Sequence, residues 1–219
     1  MSDGCFPTPR LSHLTSDDFS FIYEPAEDSF LLLDALEKDC ERVRCVRPDI
    51  CLEVGCGSGI CITFLATMLK SSPSSYFCTD INYKAAEIAT QTGKQNGVHI
   101  LPLITDLVGG LDLRLKGHVD ILLFNPPYVV TPEAEVGSRG LEAAWAGGES
   151  GRTVIDRFLP KVPDLMSQKG LFYLVVIKEN KPEEIERVMY DKGFHMETVL
   201  SRQTGPELLS VLRFQRSQH

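Results

Sequence analysis

The chain has 219 residues, 43% hydrophobic and 24% charged, with a formal net charge of −8. That balance fits one soluble domain with a full core and leaves no room for a second large one. The acidic balance argues against broad capture of a nucleic acid backbone, no apolar run approaches the roughly 20 residues of a membrane helix, and Met1-Ser2-Asp3-Gly4-Cys5-Phe6 lacks a secretory signal, so an intracellular protein of the cytoplasm and also the nucleus is expected.

Residues 1–20 are polar and read as an irregular, loosely held segment ahead of one domain over 21–219. The pattern predicts a helix over 26–44, with Phe30, Leu31, Leu33, Leu36 and Val43 on one face, acids toward its start and Arg42 and Arg44 at its end. A strand Ile50–Val54, a glycine turn 55–59 and a helix over 59–70 follow. A second strand runs from Ser75 to Thr79 and closes on Asp80. A helix over 83–95 stops at Asn96-Gly97. His99–Thr105 and Val119–Phe124 read as the third and fourth strands. Residues 128–151 form the one long irregular stretch, of a length that usually signals a functional loop. A helix over 152–166, a strand Leu171–Ile177 and a helix Pro182–Asp191 come next. Two strands, 194–201 and 207–214, joined at Thr204-Gly205-Pro206, read as a hairpin. Strands alternating with helices predict a parallel sheet covered on both faces.

Cysteines stand at 5, 40, 45, 51, 56, 61 and 78. No Cys-x-x-Cys pair occurs, so they read as reduced structural thiols, and no metal site is expected.

Glu53-Val-Gly55-Cys-Gly57-Ser-Gly59 follows a strand and opens a helix, the context of a nucleotide-type cofactor turn. The dinucleotide fingerprint would want glycine at 60, which is Ile60, so a ligand without pyrophosphate fits better. The plain alternative is a glycine turn. Asp80 ends the second strand, where a carboxylate can accept from both hydroxyls of a ribose; it could instead cap the next helix, as could Asn82. Asp106 ends the third strand, where it could accept from an adenine amino group while the Leu107 backbone meets a ring nitrogen, or it could be a solvated turn acid. Tyr23-Glu24-Pro25-Ala26-Glu27-Asp28-Ser29 reads either as a lid over the cofactor's far end or as an ordinary helix boundary.

Asn125-Pro126-Pro127-Tyr128 follows the fourth strand. Ligands of open α/β sheets sit beyond the carboxyl ends of the strands, so Gly55, Asp80, Asp106 and Asn125 converge on one crevice. The Asn125 side-chain oxygen and the Pro126 carbonyl can each accept one N–H of an –NH2 group. That would hold a weakly nucleophilic nitrogen and favour the charge it gains as it takes a methyl group. Pro126 and Pro127 stiffen the turn, and Tyr128 can pack on a planar amide or base. A turn after a strand is the plain alternative.

These segments, with Cys78-Thr79-Asp80-Ile81-Asn82, Ile104-Thr105-Asp106-Leu107 and Glu142-Ala143-Ala144-Trp145-Ala146-Gly147-Gly148, resemble the HemK-type protein glutamine N5-methyltransferases. The likeness runs from about residue 20 to the end and is to the short eukaryotic form that modifies the class I release factor. It implies an α/β fold of the Rossmann-like class I S-adenosylmethionine-dependent type, with a seven-stranded, mostly parallel sheet and a C-terminal antiparallel hairpin. It implies S-adenosylmethionine as cofactor and S-adenosylhomocysteine as product. Cofactor contacts are expected at Tyr23, Ser29, Glu53, Gly55, Gly57, Asp80, Ile81, Asp106, Leu107 and Asn125. Asn125, Pro126, Pro127 and Tyr128 would hold the glutamine of a Gly-Gly-Gln loop.

The resemblance further implies a small zinc-binding activator as partner. Val98–Ile104 reads as an apolar edge strand, where Pro102 is tolerable, and is the expected place for that partner to add a strand. Two other substrates fit less well. Glu133, Glu135, Glu142 and Glu149 in the long loop could attract a basic tail such as a histone for lysine methylation. DNA adenine methylation would need a basic groove, which the net charge opposes.

Overall fold

The computed structural model describes residues 6–111, 113–136 and 144–217. Cys5, and Glu142 and Ala143 of the acidic loop, therefore lie outside the described residues.

Seven strands form one sheet in the order β3-β2-β1-β4-β5-β7-β6. They are β1 (Ile50–Val54), β2 (Ser75–Asp80), β3 (Leu101–Ile104), β4 (Val119–Phe124), β5 (Met166–Ile177), β6 (Phe194–Thr204) and β7 (Glu207–Arg216). The first five are mutually parallel. β7 runs antiparallel between β5 and β6, and Gly205-Pro206 makes the tight turn of the hairpin. The helices are α1 (Glu27–Lys38), α2 (Cys40–Val46), α3 (Ile60–Met68), α4 (Tyr83–Gln95), α5 (Thr153–Phe158), α6 (Val162–Leu165) and α7 (Pro182–Tyr190).

The central strands are apolar at successive positions because both of their faces are covered. Ile121 and Leu123 of β4, with Tyr173 and Val175 of β5, join Leu31 and Leu36 of α1 and Ile62 and Leu65 of α3. Leu122 and Phe124, with Phe172 and Leu174, face the other way and join Phe158, Ile185 and Met189. This layering leaves the carboxyl ends of β1, β2, β3 and β4 at one rim.

Several boundaries differ from the sequence reading. The helix expected over 26–44 breaks at Asp39, whose carboxylate accepts from the Tyr173 hydroxyl at 3.0 Å and pairs with the buried guanidinium of Arg213. The helix expected over 152–166 divides into α5, a single 3-10 turn over Leu159–Lys161 and α6, since Pro160 and Pro163 supply no N–H to an α-helical ladder. β5 starts at Met166, earlier than expected, with an irregularity opposite Val119 and Ile121. β3 is short: four residues, with Val98 used to close the end of α4 through an N–H bond to the Gly93 carbonyl at 3.0 Å.

From Phe6 onward, the segment before α1 is irregular but not loose. Phe6 packs edge-on to Phe64, and its N–H donates to Glu37 at 2.8 Å. The Asn96 side chain grips residue 10 from both sides, accepting from the Arg10 N–H at 2.7 Å and donating to its carbonyl at 3.0 Å. Ile22 packs on Ala85 and Ile88 of α4. No helix among the described residues is long and apolar enough to cross a membrane.

Candidate functional site

A cavity of about 340 Å³ opens at the rim where β1, β2, β3 and β4 end. Its floor is the turn after β1. Gly55 and Gly57 have φ of +68° and +48°, a region that L side chains avoid, and nothing lies within 4 Å of where a Gly57 Cβ would point. Gly59 serves packing instead: a Cβ there would stand 2.7 Å from Ala89 of α4. These glycines turn the chain out of β1 and into α3 while leaving open space for a ligand.

Two acids hold this turn. Asp80 accepts from the Gly57 N–H at 3.0 Å and the Asn82 N–H at 2.9 Å, one through each carboxylate oxygen. The carboxylate retains further accepting capacity. The capping of α4 falls to Asn82, which accepts from the Lys84 N–H at 2.9 Å, so Asp80 is free of that task. Burial raises the Asp80 carboxyl above its usual range, with the backbone N–H bonds opposing the rise. Glu53 is 2% exposed and accepts from the Ile62 N–H at 3.0 Å. Burial pushes it up to about 8. A cationic group beside it would favour the ionised form.

Asp106, Leu107 and Ile81 stand on the cavity wall beyond β2 and β3. Leu107 takes φ +53°, a turn conformation unusual for a branched apolar side chain. Asp106 is neither a free turn acid nor open on all sides: Arg157 of α5 donates to it at 2.5 Å. Arg157 also lines the cavity, and nothing in its sequence surroundings marks it. Tyr23 and Ser29 also line the cavity. Tyr23 is 39% exposed and Ser29 is buried, so the ring sits at the mouth and the hydroxyl inside.

Asn125, Pro126 and Pro127 complete the wall at the end of β4. The Asn125 amide nitrogen donates to Asp28 at 3.0 Å, and its oxygen is buried with no partner. Buried polar atoms are rarely left so, and an orphan acceptor in a residue that lines the cavity is a candidate partner for a donor from outside. Tyr128 differs from the rest of its motif in that it does not line the cavity. Its hydroxyl donates to Asp28 at 3.2 Å and its carbonyl accepts from Asn180 at 2.9 Å. Burial, then the Asp28 charge, raises its phenol well above the usual range, so it stays protonated and donating.

Asn180 is the residue that sequence reasoning missed most completely. It is fully buried after β5. Its NH2 reaches the carbonyls of Tyr128, Gly151 and Ser150 at 2.9, 3.1 and 3.2 Å, and its oxygen accepts from the Ile177 N–H at 2.8 Å. The long loop is stitched back to the motif by further bonds between Val129 and both Trp145 and Gly147. Gly151 permits this approach: a Cβ there would lie 2.0 Å from the Tyr128 carbonyl oxygen. Of the loop acids, Glu133 accepts from Thr153 at 3.1 Å, and Glu135 and Glu149 are exposed. Cys56, Cys61 and Cys78 are buried around the glycine turn, where they pack as small apolar groups.

Comparison with known proteins places the chain. Residues 26–205 match the family described as Methyltransferase small domain. Methyltransferase HEMK2 of Homo sapiens is 58% identical over 217 residues, covering 99% of this chain and all of its own length. The eRF1 methyltransferase catalytic subunit mtq2 of Schizosaccharomyces pombe is 39% identical, with 95% of each chain covered. Among solved structures, the E. cuniculi Mtq2–Trm112 complex, described as responsible for methylation of the eRF1 translation termination factor, superposes with a TM-score of 0.66. It is 26% identical and covers 90% of this chain and 99% of its own. With its class I methyltransferase sheet, its glycine turn and its Asn-Pro-Pro-Tyr motif, the chain belongs to the Methyltransferase small domain family and, within it, to the HEMK2 methyltransferases.

Proposed function

We propose that this chain methylates the side-chain amide nitrogen of the glutamine in the Gly-Gly-Gln motif of a class I translation release factor, using S-adenosylmethionine. The observation that carries this reading is the Asn125 oxygen, buried without a partner in a residue that lines the cavity at the end of β4. It is a neutral acceptor placed for one N–H of a primary amide, with the Pro126 carbonyl for the second.

The residues present fit the cofactor. Gly57 leaves space at the floor, Asp80 retains lone pairs for vicinal hydroxyls, and Glu53 is a buried acid suited to a cationic ammonium. Asp106 and the Leu107 backbone would meet the adenine edge. When bound, S-adenosylmethionine supplies an electrophilic methyl group on a sulfonium. The chain's own contribution is positioning: Asn125 and Pro126 hold the amide hydrogens in one plane, which leaves the nitrogen's free face exposed, and the neutral oxygens favour the positive charge that nitrogen acquires. The prolines keep this turn from relaxing.

The named activity of mtq2 and the Trm112 complex of its E. cuniculi counterpart support a heterodimer here. β3 suits the contact, being at the edge of the sheet, with Ile104 63% exposed and Pro102 interrupting its donor row. A small zinc-binding activator would add a strand there. Leu103→Glu should then abolish co-elution with the activator while the melting temperature stays within about 2 °C.

The deciding experiment incubates the chain, the activator and labelled cofactor with a Gly-Gly-Gln release factor and with a histone tail, followed by mass spectrometry. Methylation at the glutamine is expected, lost by roughly 100-fold or more in Asn125→Ala, with cofactor affinity largely kept. Methyl transfer to lysine alone, or full turnover by Asn125→Ala, would remove this reading.

A further inference from the structure

Asp28 sits in the first turn of α1 and is 5% exposed. Its two oxygens face different neighbours. Oδ1 accepts from the Ser29 N–H at 2.7 Å and lies 3.4 Å from the Ser29 hydroxyl. Oδ2 accepts from the Asn125 amide nitrogen at 3.0 Å and from the Tyr128 hydroxyl at 3.2 Å. Each of these hydrogen-bond partners is a donor, and a carboxylate is the side chain that can only accept.

The consequence falls on Asn125. A primary amide has a donor end and an acceptor end that differ little in shape, so its orientation is set by its partners. With Asp28 fixed by the helix, the NH2 of Asn125 must turn toward it. The oxygen is then the end left over, and it is the atom found buried without a partner. We propose that Asp28 is a positioning residue that locks the Asn125 amide in one orientation, so that the cavity presents an acceptor and selects a substrate –NH2. The inference rests on the glutamine-amide reading above, and it adds the residue that gives that reading its polarity.

An amide at position 28 would reverse this logic. It has one acceptor, and the Ser29 N–H at the helix start would claim it. Its NH2 would then face Asn125, which must flip to offer its own oxygen. The cavity would gain N–H groups that repel the hydrogens of an incoming amide. Exchanging the two side chains restores the pattern. In the double variant Asp28→Asn/Asn125→Asp, the amide at 28 donates to one oxygen of the new carboxylate, and the other oxygen remains an acceptor in the cavity. Net charge is unchanged. Asn125→Asp alone would set two carboxylates in contact, which disfavours both being ionised.

The test uses wild type, Asp28→Asn, Asn125→Asp and the double variant, each with the activator. Turnover of a Gly-Gly-Gln release factor is measured beside cofactor affinity by calorimetry. Asp28→Asn should lower kcat about 100-fold, on the scale of losing one preorganised hydrogen bond, with cofactor Kd within about threefold. The double variant should recover at least about tenfold over Asp28→Asn. A kcat for Asp28→Asn within threefold of wild type would overturn the proposal. So would a double variant that binds cofactor but turns over no faster than either single one. If Asp28→Asn binds no cofactor, the double variant decides: recovery supports the lock, and continued failure assigns Asp28 to the fold alone. A substrate-free readout separates this inference from the functional reading. In wild type, the Asn125 side-chain NH2 should give a shifted, slowly exchanging NMR pair, which Asp28→Asn abolishes. If that pair behaves so while wild type leaves the release factor unmethylated, the substrate assignment fails and the lock stands. If the pair is unchanged by Asp28→Asn, the lock fails whatever the substrate.

Discussion

Removing the Asn180 side chain tests whether the reaction turn is held from behind. In Asn180→Ala, the Ile177 N–H loses its acceptor at 2.8 Å, and the Tyr128 and Gly151 carbonyls lose a donor at 2.9 and 3.1 Å. The Ser150 contact at 3.2 Å shares the same two hydrogens and is counted with them. Three buried bonds at about 1 kcal/mol each, with some unsatisfied groups left behind, give a loss of about 3 kcal/mol. For a chain of this size that lowers the melting temperature by roughly 6–12 °C. Turnover should fall roughly tenfold or more, because the Tyr128 end of the motif and the loop beside it lose their shared anchor, while cofactor affinity changes little. Asn180→Asp separates donors from volume. It keeps the shape and the acceptor for Ile177 but faces carbonyls with a carboxylate, so it should be at least as damaging as alanine. Scanning calorimetry and steady-state kinetics measure both effects. A melting temperature within 2 °C of wild type in Asn180→Ala, with turnover within twofold, would show that the turn stands without this clamp. An aspartate variant that behaves like wild type would show that only volume matters at 180.

Three further outcomes follow from the geometry. Because the Glu53 carboxyl is raised to about 8 from 4.5, the folded chain keeps a proton that the unfolded chain releases; the stability tied to it is complete below about 4.5 and is lost as pH rises through about 8. Glu53→Gln should thus melt above wild type at pH 9, with the difference shrinking toward pH 5, and a difference independent of pH would contradict the assignment. Gly151→Ala must relieve a 2.0 Å approach to the Tyr128 oxygen at φ +62°, so it should cost several degrees of melting temperature and most of the turnover; wild-type values in both would refute the close packing. The Arg157–Asp106 pair has side chains 47% and 54% exposed, so Arg157→Ala should move the melting temperature by no more than about 2–3 °C, since such pairs contribute at most about 1 kcal/mol, yet weaken cofactor binding several-fold by calorimetry.

The fold and the glycine turn at the rim of the sheet were legible because their signals are local. A glycine turn announces itself within seven residues, and a strand that must be buried on both faces is written as an unbroken apolar run, as in Val119–Phe124. The helix over 83–95 was bounded correctly because Asn82 and Gly97 mark its ends in the sequence itself. What escaped depends on partners far along the chain. Asp39 divides a helical pattern because Tyr173 and Arg213 pull on it from β5 and β7. Asp28 was seen as part of a helix start, but its bonds to Asn125 and Tyr128 span 97 and 100 residues. Asn180 follows a strand in an unremarkable Lys-Glu-Asn run, and only the closed sheet brings it beneath Tyr128. Pairings of that kind exist only after folding, and no periodicity or spacing encodes them.

The segment before the first helix has a reach that its irregular backbone conceals. His13 donates to the Thr92 hydroxyl, which itself donates to the carbonyl of Ser58 at 2.7 Å, inside the turn beneath the cavity. Amino-terminal trimming back to Phe21 would therefore remove a brace from the floor of the cavity. Its first symptom should be a faster off-rate for the nucleoside, ahead of any change in the sheet.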